Sequence, residues 1–209
     1  MKDNCDYIHN LFNEQKKYTF PFCSDDIPKN GIYILFENGE TAHSTNRIVR
    51  IGTHTGENQL PSRLKQHFLT ENKDRSIFRK NIGLAILNKR GDPYLKQWEW
   101  DLTSRESKEK YLKLIDSKRQ AEIEKEVSDY MRKCFSFIVF RVDSKEARLS
   151  LESKIISTVS LCENCKPTQN WLGNYSTKEK IRQSGLWLVN ELWKTPLNEG
   201  DVKLLETML

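Results

Sequence analysis

Three short apolar runs constrain this chain more than anything else in it: GIYILF at 31–36, RIVRIG at 47–52 and FSFIVFRV at 135–142. The third is an eight-residue run rich in aromatic and β-branched residues, the composition of a buried strand. The first two read as a pair of strands, joined by a polar connection that contains the hairpin dipeptide Asn38-Gly39. The segments between and around them carry helical periodicity instead. The order is therefore hairpin, helices, third strand, helix, which makes a small sheet with helices packed against it, an α+β pattern.

The helices are legible from their stripes and caps. Residues 3–16 place Tyr7, Ile8, Leu11 and Phe12 on one face. Pro21 and Pro28, with Ser24, Asp25 and Asp26 between them, mark a linker. Pro61 opens a helix over 61–69 that buries Leu64 and Phe68. A helix over 75–88 buries Ile77, Phe78, Ile82, Ala85 and Ile86, and the charged segment 104–133 is mostly helical, with Ile123, Val127, Tyr130, Met131 and Cys134 on one face. Asp143-x-x-Glu146 is a capping box for a helix running to about Leu161, and Ser176-x-x-Glu179 is a second box. Gly185 stops that second helix, and a small C-terminal helix closes the chain.

At 209 residues, 37% hydrophobic and 30% charged, the chain supports one core of ordinary size. No apolar run approaches the roughly 20 residues of a membrane span. The first residues, MKDNCDYIHN, carry acids where a signal peptide carries basic residues, so a cytoplasmic protein is expected. Net charge is +5, yet the window from Arg63 to Arg90 holds eight basic residues (63, 65, 73, 75, 79, 80, 89, 90) against two acidic ones (71, 74), which is +6 in 28 residues. Such a concentration suits a phosphate backbone, although a solvated helical face gives the same count. The five cysteines (5, 23, 134, 162, 165) are odd in number and irregularly spaced, which argues against a disulfide framework. Cys162-Glu-Asn-Cys165 has the spacing of half a zinc site without a matching second pair. A site that borrows Cys5, Cys23 or a histidine, and a simple pair of reduced thiols near a helix end, both remain open.

One acidic residue sits where an acid is expensive. At 100° per residue, with Leu151 at zero, Ile155 falls at about 40°, Val159 at about 80°, Ile156 at about 140° and Leu149 at about 160°. Glu152 falls at about 100°, inside that apolar arc. An ionised carboxylate buried alone costs several kcal/mol, so Glu152 needs a cation, a metal or a raised pKa. Arg148, one turn back, is the structural candidate for a partner. A single carboxylate in a basic surround also suits Mg²⁺, with Mn²⁺ as a substitute, because Mg²⁺ keeps most of its waters. That favours phosphodiester chemistry over acyl transfer, and no serine or cysteine has a nucleophile motif around it.

Gly31-Ile32-Tyr33, Arg50-Ile51-Gly52, Leu60-x-x-Arg63-Leu64-x-x-His67-Phe68, Glu152 and Pro167-x-x-Asn170 follow one another in an order that resembles the GIY-YIG nucleases, most closely their restriction-endonuclease branch. The resemblance covers roughly residues 29–172. It implies a three-stranded antiparallel sheet flanked by helices, and endonucleolytic hydrolysis of double-stranded DNA with one divalent metal. It implies a single domain: an N-terminal helical arm (1–28), a core (29–172) with a helical insertion at 91–133, and a C-terminal extension (173–209). Under it Tyr33 is the general base or positions the attacking water, Arg63 braces the scissile phosphate, and Glu152 holds Mg²⁺. His54 and His67 shuttle a proton or orient Tyr33, and Asn170 supports the site. Arg50 stands where the family usually has tyrosine, and a cation there acts on the Tyr33 hydroxyl or holds a phosphate. The connection over 34–49 and the insertion at 91–133 are both longer than in a minimal domain.

With no separate DNA-binding module, duplex DNA would be met by Lys65, Arg75, Arg79, Lys80, Lys89 and Arg90, the insertion and the C-terminal region. Palindromic cutting would need two copies, hence a homodimer on DNA. Two other readings compete: a non-cleaving nucleic-acid-binding protein on the same fold, and a structure-specific repair nuclease.

Overall fold

The computed structural model describes residues 4–209, so residue 3, the first position of the expected N-terminal helix, lies outside the described residues. In chain order the elements are α1 (Asn4–Asn13), β1 (Gly31–Ala42), β2 (Thr45–Gly52), α2 (Leu60–Phe68), α3 (Ile77–Lys89), α4 (Leu95–Glu99), α5 (Arg105–Tyr111), α6 (Ser117–Cys134), β3 (Phe135–Arg141), α7 (Lys145–Leu161), α8 (Glu179–Ser184) and α9 (Glu199–Met208). The strands form one antiparallel sheet in the order β2-β1-β3, so β1 is paired on both edges.

The apolar runs are explained by what lies above and below the sheet. Tyr33 and Leu35 of β1 enter one core with Leu64 and Phe68 of α2, Phe78 and Ile82 of α3, and Ile123 and Val127 of α6. Ile32, Ile34 and Phe36 enter the other, with Ile8 and Phe12 of α1, Leu151 and Ile155 of α7, and Val202 and Leu205 of α9. A strand covered on both faces has no polar face to alternate with. Gly31 starts β1 because a Cβ there would sit 2.1 Å from the Phe140 carbonyl oxygen on β3.

The hairpin corrects one expectation. The chain does not turn at Asn38-Gly39: β1 runs on to Ala42, Gly39 adopts φ +85°, and the register jumps between Phe36 and Thr41. The turn falls at His43 and Ser44, with φ of 51° and 61°, the left-handed pair of a tight hairpin turn. A second irregularity lies between Leu35 and Phe36, which pair with Arg50 and Ile48 and leave Val49 as the extra residue. This bulge lets Val49 enter the Tyr33 core and turns Arg50 toward the same side.

Two caps also move. The N-cap of α7 is Ser144, which accepts from the Ala147 amide, rather than Asp143, whose carboxylate pairs with Arg141. Ser176 accepts from the Lys178 amide and does not cap α8, which begins at Glu179. Gly185 does end α8, at φ +70°. No helix among the described residues is long and apolar enough to cross a membrane.

Candidate active site

The site begins at the two glycines of the strand motifs. Tyr33 on β1 faces Gly52 on β2, and a Cβ at residue 52 would meet the Tyr33 hydroxyl oxygen at 2.2 Å. Glycine there lets the phenol lie across the neighbouring strand, where it is buried. Its hydroxyl is 3.0 Å from His67 Nε2 on α2, and His67 Nδ1 is 2.6 Å from the Ser76 hydroxyl. Ser76 is also the N-cap of α3, accepting from the Arg79 amide. Burial, and then the charges of Arg50, Arg63 and Arg79, hold the His67 pKa well below the usual imidazole range, so this ring is neutral. The polar chain Tyr33–His67–Ser76 thus links sheet, α2 and α3 inside the core.

Arg50 lies over this chain. Its Nε is 3.4 Å from the Tyr33 hydroxyl, to which it donates, and an Nη donates to the Trp187 carbonyl. The guanidinium sits 4.7 Å above the centroid of the Phe78 ring. Beyond it opens a cleft of about 470 Å³, walled by Arg50, Arg63 of α2, Asn81 of α3, Glu152 of α7 and the segment 187–191. Tyr33 and His67 are not on its wall; they lie one and two hydrogen bonds behind Arg50.

Glu152 meets the cleft with a raised affinity for protons. Burial pushes its carboxyl up to about 7, against the pull of Arg50 and the hydrogen bond from the Thr53 amide at 3.0 Å. Thr53 follows Gly52 directly, and its hydroxyl donates to the Gly31 carbonyl at 2.6 Å, so both strand motifs fix the carboxylate. Arg148 is not its partner. That side chain donates instead to the carbonyls of Val142, Asp143 and Gly56. No ion pair reaches Glu152 among the described residues. A carboxylate in the positive field of Arg50 and Arg63, one oxygen tied to a backbone amide and no cation paired with it, is a suitable donor for a hard divalent ion that retains waters.

The structure brings Tyr33, Arg50, Arg63, His67 and Glu152 together and leaves two expected residues aside. His54 holds its own loop: Nδ1 donates to the Gly56 carbonyl at 2.7 Å, and Nε2 accepts from the Gly31 amide at 3.4 Å. It lines a neighbouring depression, shared with Arg63, rather than the cleft. Asn170 is exposed in the turn before Trp171 and is not on the cleft wall. Two wall residues went unnoticed in the sequence. Asn81 is buried, and its Oδ1 has no hydrogen-bond partner among the described residues. An amide on a helix whose other buried positions include Phe78, Ile82, Ala85 and Ile86 was its available signal. Glu191, at φ +62°, accepts from Ser153 on α7 and has no comparable sequence signal.

Of the expected DNA contacts, Lys65, Arg75, Lys89 and Arg90 are exposed, with Arg90 ion-paired to Asp92 and Glu126. Lys80 is half-buried, and burial lowers its pKa. Arg79 must be reassigned: it is fully buried and pairs with Glu124 of α6 at 2.8 Å, where no phosphate reaches it.

A family model described as GIY-YIG domain matches residues 3–209. No curated protein and no solved structure matches the chain.

Proposed function

This chain belongs to the GIY-YIG domain family, which carries a nuclease-type function, and from that premise we propose that it is a Mg²⁺-dependent endonuclease of duplex DNA, of the site-specific restriction type. The observation that carries the reading is the convergence of one unpaired carboxylate, Glu152, and two arginines, Arg50 and Arg63, on one open cleft. Two cations facing one hard anionic donor suit a phosphodiester bridged to a divalent metal, and suit neither an acyl nor a neutral substrate.

Glu152 would hold the metal, with Mn²⁺ as a substitute for Mg²⁺. When bound, the ion supplies Lewis-acid stabilisation of phosphate charge and of the departing 3′ oxygen. Arg63 braces the scissile phosphate from the α2 side. Arg50 turns part of its guanidinium from the Trp187 carbonyl toward the phosphate, which opens the Tyr33 hydroxyl to the attacking water. Tyr33 then orients the attacking water, its own hydroxyl held by a hydrogen bond to neutral His67 at Nε2, with Nδ1–H donating to Ser76. Asn81 Oδ1 offers an acceptor to a water in the same cleft.

The test is digestion of long unmethylated duplex DNA by the purified chain in Mg²⁺, with Glu152→Gln beside it. Discrete bands that vanish in the variant are the expected result. A smear that vanishes in the variant would keep the nuclease and remove the site specificity. DNA left intact by the wild-type chain would remove the cleavage reading.

A further inference from the structure

Far from the cleft, segments distant in sequence bring thiols and imidazoles to one buried point. Cys5 and His9 lie one turn apart on α1, His43 is at the tip of the β1–β2 hairpin, and Cys162 and Cys165 follow α7. The ligand atoms of Cys5, His9, His43 and Cys165 all lie within 4.8 Å of one another. Cys5 Sγ is 3.3 Å from Cys165 Sγ, and Cys165 Sγ is 3.3 Å from His43 Nε2 and 3.8 Å from His9 Nε2. Zn–S bonds of about 2.3 Å and Zn–N bonds of about 2.0 Å set neighbouring ligand atoms of a tetrahedron about 3.3–3.8 Å apart. The three distances of 3.3–3.8 Å fall in that range, and the remaining pairs lie within 4.8 Å, close enough for small side-chain shifts to close the tetrahedron.

We propose that this cluster is a structural Zn²⁺ site, with Cys5, His43 and Cys165 as three ligands and a fourth from His9 or Cys162. The donor set of thiols and imidazoles selects zinc over the oxygen-seeking Mg²⁺ of the cleft. Burial marks the site as closed and structural: Cys5, His9 and Cys165 are all within 2% of full burial, and the His43 side chain is 6% exposed. His43 Nδ1 faces the Asp6 carboxylate at 3.5 Å, the outer contact that orients a metal-bound imidazole through its other nitrogen. His43 also occupies a left-handed backbone position at the turn, with φ of 51°.

The fourth position has two contenders. His9 donates Nδ1–H to the Cys5 carbonyl at 2.8 Å, which leaves Nε2 with the lone pair a metal needs. That lone pair now accepts the Ile48 amide at 3.2 Å, a bond that ligation would replace. Cys162 Sγ lies 3.5 Å from His43 Nε2, and its thiol is hydrogen-bonded to Cys5. Either choice ties α1, the hairpin tip and the segment after α7 into one joint. None of these residues lines the catalytic cleft, so the ion would act on the fold rather than on the phosphate.

The experiment uses the untagged full-length chain, purified reduced and without chelator, and reads metal content by mass spectrometry. One zinc per chain is expected. Replacement by Co²⁺ should give the visible bands of a tetrahedral ion and a near-ultraviolet thiolate-to-metal band. Cys165→Ser and His43→Asn should each lower bound zinc about tenfold or more, and Asp6→Asn about tenfold through the outer contact. Should either ligand variant fail to fold, cobalt titration of the wild-type chain still decides the matter. His9→Ala and Cys162→Ser then assign the fourth ligand, the true one losing metal and the other keeping it. Wild-type chain that holds no stoichiometric zinc and develops no cobalt absorption would overturn the site. Full zinc content retained in both Cys165→Ser and His43→Asn would do so equally. Neither result depends on DNA cleavage, so this site and the nuclease reading fail separately.

Discussion

Glu152 concentrates the conflict between stability and chemistry at one side chain. Its carboxyl titrates near 7 in the folded chain against 4.5 for an ordinary glutamate, and burial is the main cause. The sign follows from proton binding. Between those two values the folded chain holds a proton that the unfolded chain has released, so its relative stability is greatest below about 4.5 and is lost as pH rises through 7. Glu152→Gln removes that loss. In the absence of divalent metal at pH 8 the variant should be more stable than wild type by about 2 kcal/mol, with the difference fading toward pH 5. Adding Mg²⁺ at pH 8 should raise the melting temperature of the wild type and leave the variant unmoved. Thermal melts at the two pH values, with and without Mg²⁺, check this. A variant less stable than wild type at pH 8 without metal would mean that the carboxylate is a structural partner, not a strained ligand. The same substitution would then be useless as a test of catalysis, because lost cleavage would report lost folding.

At the scale of elements, the contact between α3 and α6 shows what sequence could and could not reveal. The apolar residues of both helices were legible, since Phe78, Ile82, Ile123 and Val127 repeat at helical spacing. Arg79 was not, because its partner Glu124 lies 45 positions away and nothing local distinguishes a buried arginine from a surface one. In the structure Arg79 donates to the Glu124 carboxylate, the Ser128 hydroxyl and the His67 carbonyl, so the pair joins α6 to α2 and α3. Arg79→Met should therefore cost about 3–5 kcal/mol by stranding a buried carboxylate. Arg79→Met with Glu124→Leu should recover most of that loss, as measured by urea unfolding. DNA affinity offers a second discriminator. Lys65→Gln should reduce the slope of log affinity against log salt by about 1, whereas the double variant should leave it unchanged. A lowered slope in the double variant would return Arg79 to the DNA surface. The hairpin turn was missed for a related reason: Asn38-Gly39 has the right local chemistry, but beyond it Glu40 is buried against Arg47 and Thr168 and Ala42 enters the second core, and those long-range contacts outweigh turn propensity.

Across the whole molecule, the site is a product of long-range closure rather than of one segment. Glu152 was readable from a local pattern, an acid in an apolar arc, whereas Tyr33, Arg50 and Arg63 were readable only through the order of motifs that resembles the family. The wall at 187–191 carries no such pattern, and only the fold brings it beside β2 and α7. That wall is tied in at Trp187. Its amide donates to the Val49 carbonyl at 2.8 Å, its indole donates to the Glu37 carboxylate at 2.9 Å, and its carbonyl receives Arg50. Glu37 is itself a buried acid whose pKa burial raises, with Tyr130, Trp171 and Trp187 donating to it. Downstream, Leu192, Leu197, Val202 and Leu205 fill the second core. A chain ending at Gly185 would expose that core, take a donor from Glu37 and remove the anchor of Arg50. The expected outcome is loss of a cooperative unfolding transition by circular dichroism, together with loss of cleavage. Trp187→Phe is the milder companion: it keeps a six-membered aromatic ring but removes the pyrrole and its N–H donor, and should cost about 1–3 kcal/mol or more as the void adds to the lost bond. That cost should shrink as pH falls, because a protonated Glu37 needs its donors less. A truncated chain that melts cooperatively and still cuts DNA would show that residues 186–209 are an appendage and that the cleft needs only the walls contributed by β2, α2, α3 and α7.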